Sequence, residues 1–237
     1  MRQAEGAVLV CLLAAGLIVS GCKEDAMVTN LKLDDSYIRV PGQATPSATG
    51  AAGSLMPLDI GNSWNMIVHS AGGTALEQNT VTGTESFDGI LGAIVETRQN
   101  GAALREDVFS AGTHDLSLVA AGSKNDIMRM TPPIPLFSYS PVEGATETWS
   151  GILHYRNTSS SGNGLSRVSG RERVTTPAGT FDAYRIDSIL LTTVGGQMVN
   201  FPSTRWFAPG VGVVKQRMMS GARVLTKELS EYHLSKK

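Results

Sequence analysis

Cysteine is nearly absent from this chain. There are two in 237 residues, Cys11 and Cys22, and Cys11 lies in an apolar N-terminal run, Ala7–Val19, that reads as part of a removable segment. With one thiol left, the processed chain has no intramolecular disulfide, so stability must come from a buried core. Long apolar runs are missing too. Thirteen helical residues span about 20 Å against a hydrocarbon core of about 30 Å, so Ala7–Val19 is too short for a stable membrane span. Catalytic signatures are also lacking: there is no H-E-x-x-H, G-x-S-x-G, S-x-x-K or Walker-type loop. Ser166 has Gly164 two residues before it but Val168 two after it, so it is no nucleophile elbow. The four histidines (His69, His114, His154 and His233) are scattered, and without cysteines their spacing suggests no zinc cluster. Glu106 and Asp107, adjacent in an expected strand, point to opposite faces, which is wrong for joint acid/base work. No catalytic residue, metal ligand or cofactor is assigned, and no nucleic-acid partner is expected.

What is present begins at the N-terminus. Arg2 supplies positive charge, the apolar run follows, and Val19-Ser20-Gly21-Cys22 closes it. Small residues before a cut and a thiol just after it resemble the lipobox of bacterial lipoproteins, whose commonest form has Leu where Val19 stands. The resemblance implies a signal peptide at 1–21, cleavage before Cys22, and lipid attachment on Cys22, with a membrane as partner. Lys23 and Glu24 lack the aspartate linked to inner-membrane retention, which implies the outer membrane, facing the periplasm, in a host that has one. Residues 22–54 read as the lipidated cysteine and a flexible tether. Its last dozen (QATPSATGAAGS) offer little to bury, and the whole has a typical reach of about 30 Å. A short strand at Asp35–Val40 would end at Pro41-Gly42.

After Leu55 the pattern is short apolar alternation broken by turn residues. Asn100-Gly101, between ILGAIVETRQ and AALREDVF, is a strong hairpin signal. Further breaks are expected at Ala111-Gly112, the SSSGNG run, Pro177-Ala178-Gly179, Gly195-Gly196, Pro209-Gly210 and Ser220-Gly221. Period two prevails: Trp149, Gly151, Leu153 and Tyr155 share one face. The C-terminal VLTKELSEYHL, although Leu225, Leu229 and Tyr232 stand at helical spacing, reads as strand. Thr131-Pro132-Pro133-Ile134-Pro135, lacking three backbone donors, is expected to be extended and unpaired. The fold class is mainly β, antiparallel meanders forming a β-sandwich or an open, curved β-barrel.

Landmarks recur on either side of the proline segment. Pro57-Leu58 and Gly61 precede Trp64, as Pro141-Val142 and Gly144 precede Trp149. Thr82 stands five residues before Phe87-Asp88, as Thr176 does before Phe181-Asp182. Phe109-Ser-Ala-Gly112 matches Phe207-Ala-Pro-Gly210. Two tandem β units are therefore expected, 55–130 and 144–237, joined by a Pro-rich connection at 131–143. Trp64, Trp149 and Trp206 read as packing residues ahead of a ligand box.

Net charge is −1, but unevenly spread. Residues 23–164 carry 8 Lys+Arg against 15 Asp+Glu, and residues 165–237 carry 11 against 5. Arg167, Arg171 and Arg173 fall on one strand face, and Lys215 and Arg217 on another, either to meet anionic headgroups or to pair across strands. A loop at 177–180 would set Glu172 opposite Arg185 and Arg173 opposite Tyr184.

Val174-Thr-Thr-Pro-Ala-Gly-Thr-Phe-Asp-Ala-Tyr-Arg-Ile186 and Trp206-Phe-Ala-Pro-Gly-Val-Gly-Val-Val-Lys215 resemble motifs of uncharacterised bacterial lipoproteins and exported proteins. Pro57-Leu-Asp-Ile-Gly-Asn-Ser-Trp64 is a weaker opening element. The resemblance implies a β-rich envelope domain and carries no activity or site residue with it. The expected function is a membrane-anchored, non-enzymatic binding or assembly module for an apolar ligand, a lipid or an envelope protein. An acyl-chain carrier needs a cavity of about 300 Å³ or more. The alternatives are a hydrolase of envelope polymers, with His154 and a neighbouring carboxylate, and a surface-displayed adhesion or complex subunit.

Overall fold

The computed structural model describes residues 55–111, 115–123, 126–138, 140–194, 197–220 and 223–235. Cys22, the signal segment, the tether and the strand expected at Asp35–Val40 lie outside the described residues. The alternating pattern produces twelve strands: β1 (Ser63–Ser70), β2 (Gly73–Phe87), β3 (Ile90–Gln99), β4 (Ala102–Ala111), β5 (Asp115–Ser123), β6 (Asp126–Ser138), β7 (Thr146–Tyr155), β8 (Thr158–Thr176), β9 (Gly179–Val194), β10 (Gln197–Ala208), β11 (Gly212–Ser220) and β12 (Arg223–His233). Each pairs antiparallel with its neighbours in sequence, and β1 pairs with β12. The protein is an antiparallel β-barrel, and it is closed, which leaves neither the first nor the last strand as a free sheet edge.

Local chemistry accounts for most of the turns. Asn100 and Gly101 take φ 52° and 79°, the left-handed pair that a two-residue hairpin requires. Asp88-Gly89 does the same between β2 and β3, a turn that the sequence reading passed over. Pro177-Ala178 joins β8 to β9, and residues 209–211 join β10 to β11. Gly112, Gly195, Gly196 and Gly221 lie outside the described residues. The C-terminal segment is strand β12, as expected.

Two segments depart from expectation. The SSSGNG run lies within β8, and the turn falls at Arg156-Asn157 instead. Its glycines answer to packing: the Trp149 ring lies over them, and a Cβ at Gly162 would approach that ring to 2.8 Å, one at Gly151 to 2.5 Å. The proline segment, expected to be an unpaired connection, belongs to β6. Ile134 pairs with Leu118 and Pro135 with Ser117 on β5. Missing donors are tolerated because the ladder to β7 runs only from Met128–Tyr155 to Thr131–Ile152, so the prolines need to serve one neighbour rather than two. Beyond Thr131 the wall has a seam, spanned by Trp149, whose indole N–H donates to the Pro132 carbonyl at 2.8 Å.

Strands β1–β6 and β7–β12 share local devices. Gly61 N–H donates to Val81, Val81 N–H to the Asn62 carbonyl, and Asn62 N–H to Asp59; Gly144, Val168, Ala145 and Val142 repeat this arrangement bond for bond. A bulge follows in each case, at Val81–Gly83 and Val168–Gly170. Bulges also sit beside Phe109 and Phe207. Trp64 and Trp149 each stand six residues before the last paired residue of their strand. Phe87-Asp88 and Phe181-Asp182 are not equivalent, since the first precedes its turn and the second follows it. Both units close a single wall, and β6 runs through the expected junction at 131.

The inner face is filled in tiers. The main core, including Trp64, Val81, Phe137, Phe207 and Leu229, gathers at the end where residue 55 enters. A second core of Met128, Met130, Trp149, Leu153 and Tyr155 lies under β6 and β7. Outside the wall, Phe87, Ile90, Ile94 and Ile127 cover Val108 and Ala120, with Asp88 at the hairpin tip 3.8 Å from Arg129. An apolar interior is the inverse of a membrane-spanning barrel, whose apolar face meets lipid. Gly162→Val forces a branched side chain into the Trp149 ring and is expected to lower stability by about 1–3 kcal/mol in urea unfolding. Gly83→Ala, with nothing within 4 Å of the added carbon, is expected to stay within about 0.5 kcal/mol of the parent.

Candidate functional site: a charged belt inside the barrel

Between the apolar tiers the strand register lines up inward-facing polar side chains. Across one side of the barrel the partners run Glu147–Ser166–Ser188–Ser203, with Arg205 two residues on from Ser203 and facing Gln216, and Gln216 facing Lys227. Across the other side Asn79 faces Thr97 and Thr97 faces Arg105. Thr97 donates to Asn79 at 2.7 Å, and Ser166 to Ser188 at 3.2 Å. Lys227 and Glu77 form an ion pair at 7% and 3% exposure. Arg105 clamps Asp107 through Nη2 and through Nε at 3.0 Å. Arg205 is the third cation of the belt, and burial pushes its pKa down while Asp107 opposes that and Arg105 adds to it.

Three cavities adjoin the belt. One of about 110 Å³ is bounded by Trp64, Phe109, Phe207, Arg105 and Arg205. One of about 90 Å³ is bounded by Trp149, Phe201, Glu147, Arg105 and Arg205. The third, of about 190 Å³, lies by the β6–β7 seam against Phe137, Val142, Glu147 and Ser166. Leu136 borders all three. None alone reaches the volume set for an acyl chain.

The expected surface groups are disposed otherwise. Trp64 is buried and donates its indole N–H to the Val211 carbonyl at 2.5 Å; it and Trp149 both pack in core clusters and border a cavity. Trp206 instead points outward, donating to Glu172 and lying 5.8 Å from Lys215. The hairpin loop is only Pro177-Ala178, so Glu172 faces Ala183, Arg173 faces Asp182 and Arg171 faces Tyr184. The stacked cation is accordingly Arg171, 4.8 Å from the Tyr184 ring, and Arg185 pairs with Asp187 at 3.1 Å. Lys215 pairs with Glu228 at 2.8 Å. These basic rows are largely met by partners on adjoining strands.

His154 bonds to Ser159 at 3.1 Å and sits opposite Arg129, with no carboxylate partner among the described residues. His69 is 3.8 Å from Glu228, beyond hydrogen-bond reach. His114 lies outside the described residues. No group of three or more His, Cys, Asp or Glu side chains is placed to hold a metal among the described residues. The belt itself escaped the sequence reading, although a signal was there: Phe201, Ser203, Arg205 and Phe207 share one parity, which puts an arginine on an apolar face.

Residues 165–225, which run from β8 into β12, are similar to the DUF3108-like family. No curated protein matches the chain. Among solved structures, a presumed lipoprotein of Parabacteroides distasonis is 15% identical with a TM-score of 0.46, over 77% of this chain and 99% of that one. An exported protein of Bacteroides fragilis with a YmcC-like fold is 12% identical with a TM-score of 0.47, over 75% and 98%. The hypothetical lipoprotein YmcC of Escherichia coli is 12% identical with a TM-score of 0.44, over 73% and 86%. The closed barrel rests on the pairing registers given above, independently of these likenesses.

Two outcomes follow from the charges. Lys227→Met strands Glu77 in the interior and is expected to cost about 3–5 kcal/mol, whereas Glu77→Leu with Lys227→Met is expected to return close to the parent, as read by urea unfolding. On the outer face, burial raises the Asp187 carboxyl, but hydrogen bonds from Ser169 (2.6 Å), Thr204 (2.7 Å) and Arg185 outweigh it and hold the pKa below the usual range. A depressed folded pKa stabilises above about pH 4 and is lost as pH falls through the folded value. Asp187→Asn is therefore expected to flatten the fall of the urea midpoint below about pH 4.

Proposed function

We propose that the chain is an exported lipoprotein, cleaved before Cys22 and held at a membrane of the cell envelope by lipid on that cysteine, whose barrel is a ligand-binding module rather than a catalyst. The apolar run closing on Val19-Ser20-Gly21-Cys22 supports the anchor, and Lys23-Glu24 favours the outer membrane where the host has one. The resemblance to uncharacterised lipoproteins through the Pro177-Ala-Gly-Thr-Phe181 and Trp206–Lys215 motifs is in keeping with this address.

The observation that carries the binding reading is the row of cavities from the seam to Arg205 in an otherwise packed barrel. Their size favours a small or slender apolar ligand over a whole phospholipid. The hydrolase alternative has nothing to recommend it at His154, which faces Ser159 and Arg129. Docking of an envelope protein draws on a different feature. Outward-facing Leu165, Ile189 and Pro202 lie in register, Met219 and Val224 continue the row on β11 and β12, and Leu165 and Val224 are 43% and 37% exposed.

Cys22→Ser is expected to move the protein from the membrane to the soluble fraction, and full retention on membranes would refute the anchor. Native mass spectrometry of the mature protein from its own envelope tests the barrel. A co-purifying small molecule supports ligand binding, and a stoichiometric protein with an empty interior supports the docking row instead.

A further inference from the structure

Of the three cations in the inner belt, two are bonded to a carboxylate. Lys227 is matched by Glu77, and Arg105 by Asp107. Arg205 faces both inner cavities and has no hydrogen bond or ion pair of its own among the described residues. Asp107 and Arg105 are the charges that act on it, so two guanidiniums share one carboxylate already clamped by the first. A guanidinium does not shed its proton at physiological pH. Glu147, the third carboxylate of the belt, borders one of the same cavities but is exposed and forms no ion pair among the described residues. Arg205 thus stands half-buried without a bonded counter-charge, which is unfavourable unless one enters.

The surroundings specify what that counter-charge is attached to. A single unbonded guanidinium calls for a monoanion, since a dianion would bring a second negative charge beside Asp107 and Glu147. Two guanidiniums present fork-shaped donors suited to a planar carboxylate. Beyond the polar belt the cavities are bordered by aromatic rings: Trp64, Phe109 and Phe207 on one side, Trp149 and Phe201 on the other. A dry cavity of about 150 Å³ is enough for a benzene-sized body, so the space fits a slender tail rather than a second headgroup.

Building on the binding-module reading, we propose that the barrel interior receives an organic monocarboxylate with an apolar tail, its carboxylate held by Arg205 beside Arg105 and its tail in the adjoining cavities. The match is chemical: a cation with no ion pair among the described residues, where two cavities bordered by aromatic rings meet, on the inside of the barrel wall.

The test uses the mature protein purified from membranes in digitonin, with octanoate as probe and 1-octanol as its neutral counterpart. Calorimetry is expected to give saturable binding of octanoate at one per chain and at least tenfold weaker binding of octanol. Arg205→Gln is expected to weaken octanoate at least tenfold, while Arg171→Gln, on the outer face against Tyr184, leaves it unchanged. Equal affinity for acid and alcohol, undiminished binding by Arg205→Gln, or no octanoate binding at all overturns the proposal. Arg205→Met supplies a second reading independent of ligand. In exhaustively dialysed protein it is expected to raise the urea midpoint, because it removes an uncompensated charge. A lowered midpoint, or failure to fold, overturns the proposal by showing that Arg205 already has its partner within the barrel. Should protein from the envelope carry a neutral ligand that Arg205→Gln retains, the carboxylate falls while the binding module stands. An empty interior that takes up no probe ends both.

Discussion

Where β1 lies against β12, Trp64 faces Tyr232 and Val68 faces Lys227, joining strands from opposite ends of the described chain. That pairing removes both sheet edges and gives the inner face a fixed circumference. Every inward side chain then has to be accommodated in a closed volume. The indole of Trp149 finds room because Gly151, Gly162 and Gly164 yield it. The Lys227 ammonium, brought inside by the same closure, finds Glu77 two strands away. Bulges at Val81–Gly83, Val168–Gly170, Val108–Phe109 and Trp206–Phe207 take up the curvature that closing requires.

How much of this was legible beforehand depended on whether the deciding contact was local. The β3–β4 hairpin follows from Asn100-Gly101 and two alternating runs, and the structure places its strands on those runs. Strand β12 was legible because period two ran through it despite the helical spacing of Leu225, Leu229 and Tyr232. The glycines of β8 misled, because glycine signals a turn only when its own backbone is the reason for it. Here the reason is an aromatic ring on the neighbouring strand. The prolines of β6 misled in the same manner: whether a missing donor matters depends on whether a partner comes alongside, and β7 does so only as far as Ile152. Closure itself, and the belt that it creates, are properties of strand order and register and leave almost no mark in any one segment.

The two halves are alike where the backbone must bend and different where charge is placed. The glycine-led bonds before β1 and β7 recur, as do the bulges after Val81 and Val168. Inside, likeness gives way. Two residues before the inward phenylalanine, β4 carries Asp107 and β10 carries Arg205; Glu77 of β2 faces Met66 of β1, whereas Gly162 of β8 faces Gly151 of β7. A scaffold with repeated bends thus holds an interior whose charges differ between the halves, with the cation that has no ion pair among the described residues on β10.

The seam between β6 and β7 gives the wall a direction of weakness. Elsewhere, parting two strands means breaking a ladder of backbone hydrogen bonds. Past Thr131 and Ile152 that ladder has already ended, and the link at its margin is the Trp149 indole on the Pro132 carbonyl. Trp149 is buried and its ring packs closely against Gly151 and Gly162, so this margin is held by a side chain where the rest of the wall is held by backbone. The proline run therefore does more than tolerate its lost donors: it hands one stretch of a closed cylinder from backbone to side-chain packing, with a tryptophan as its rivet.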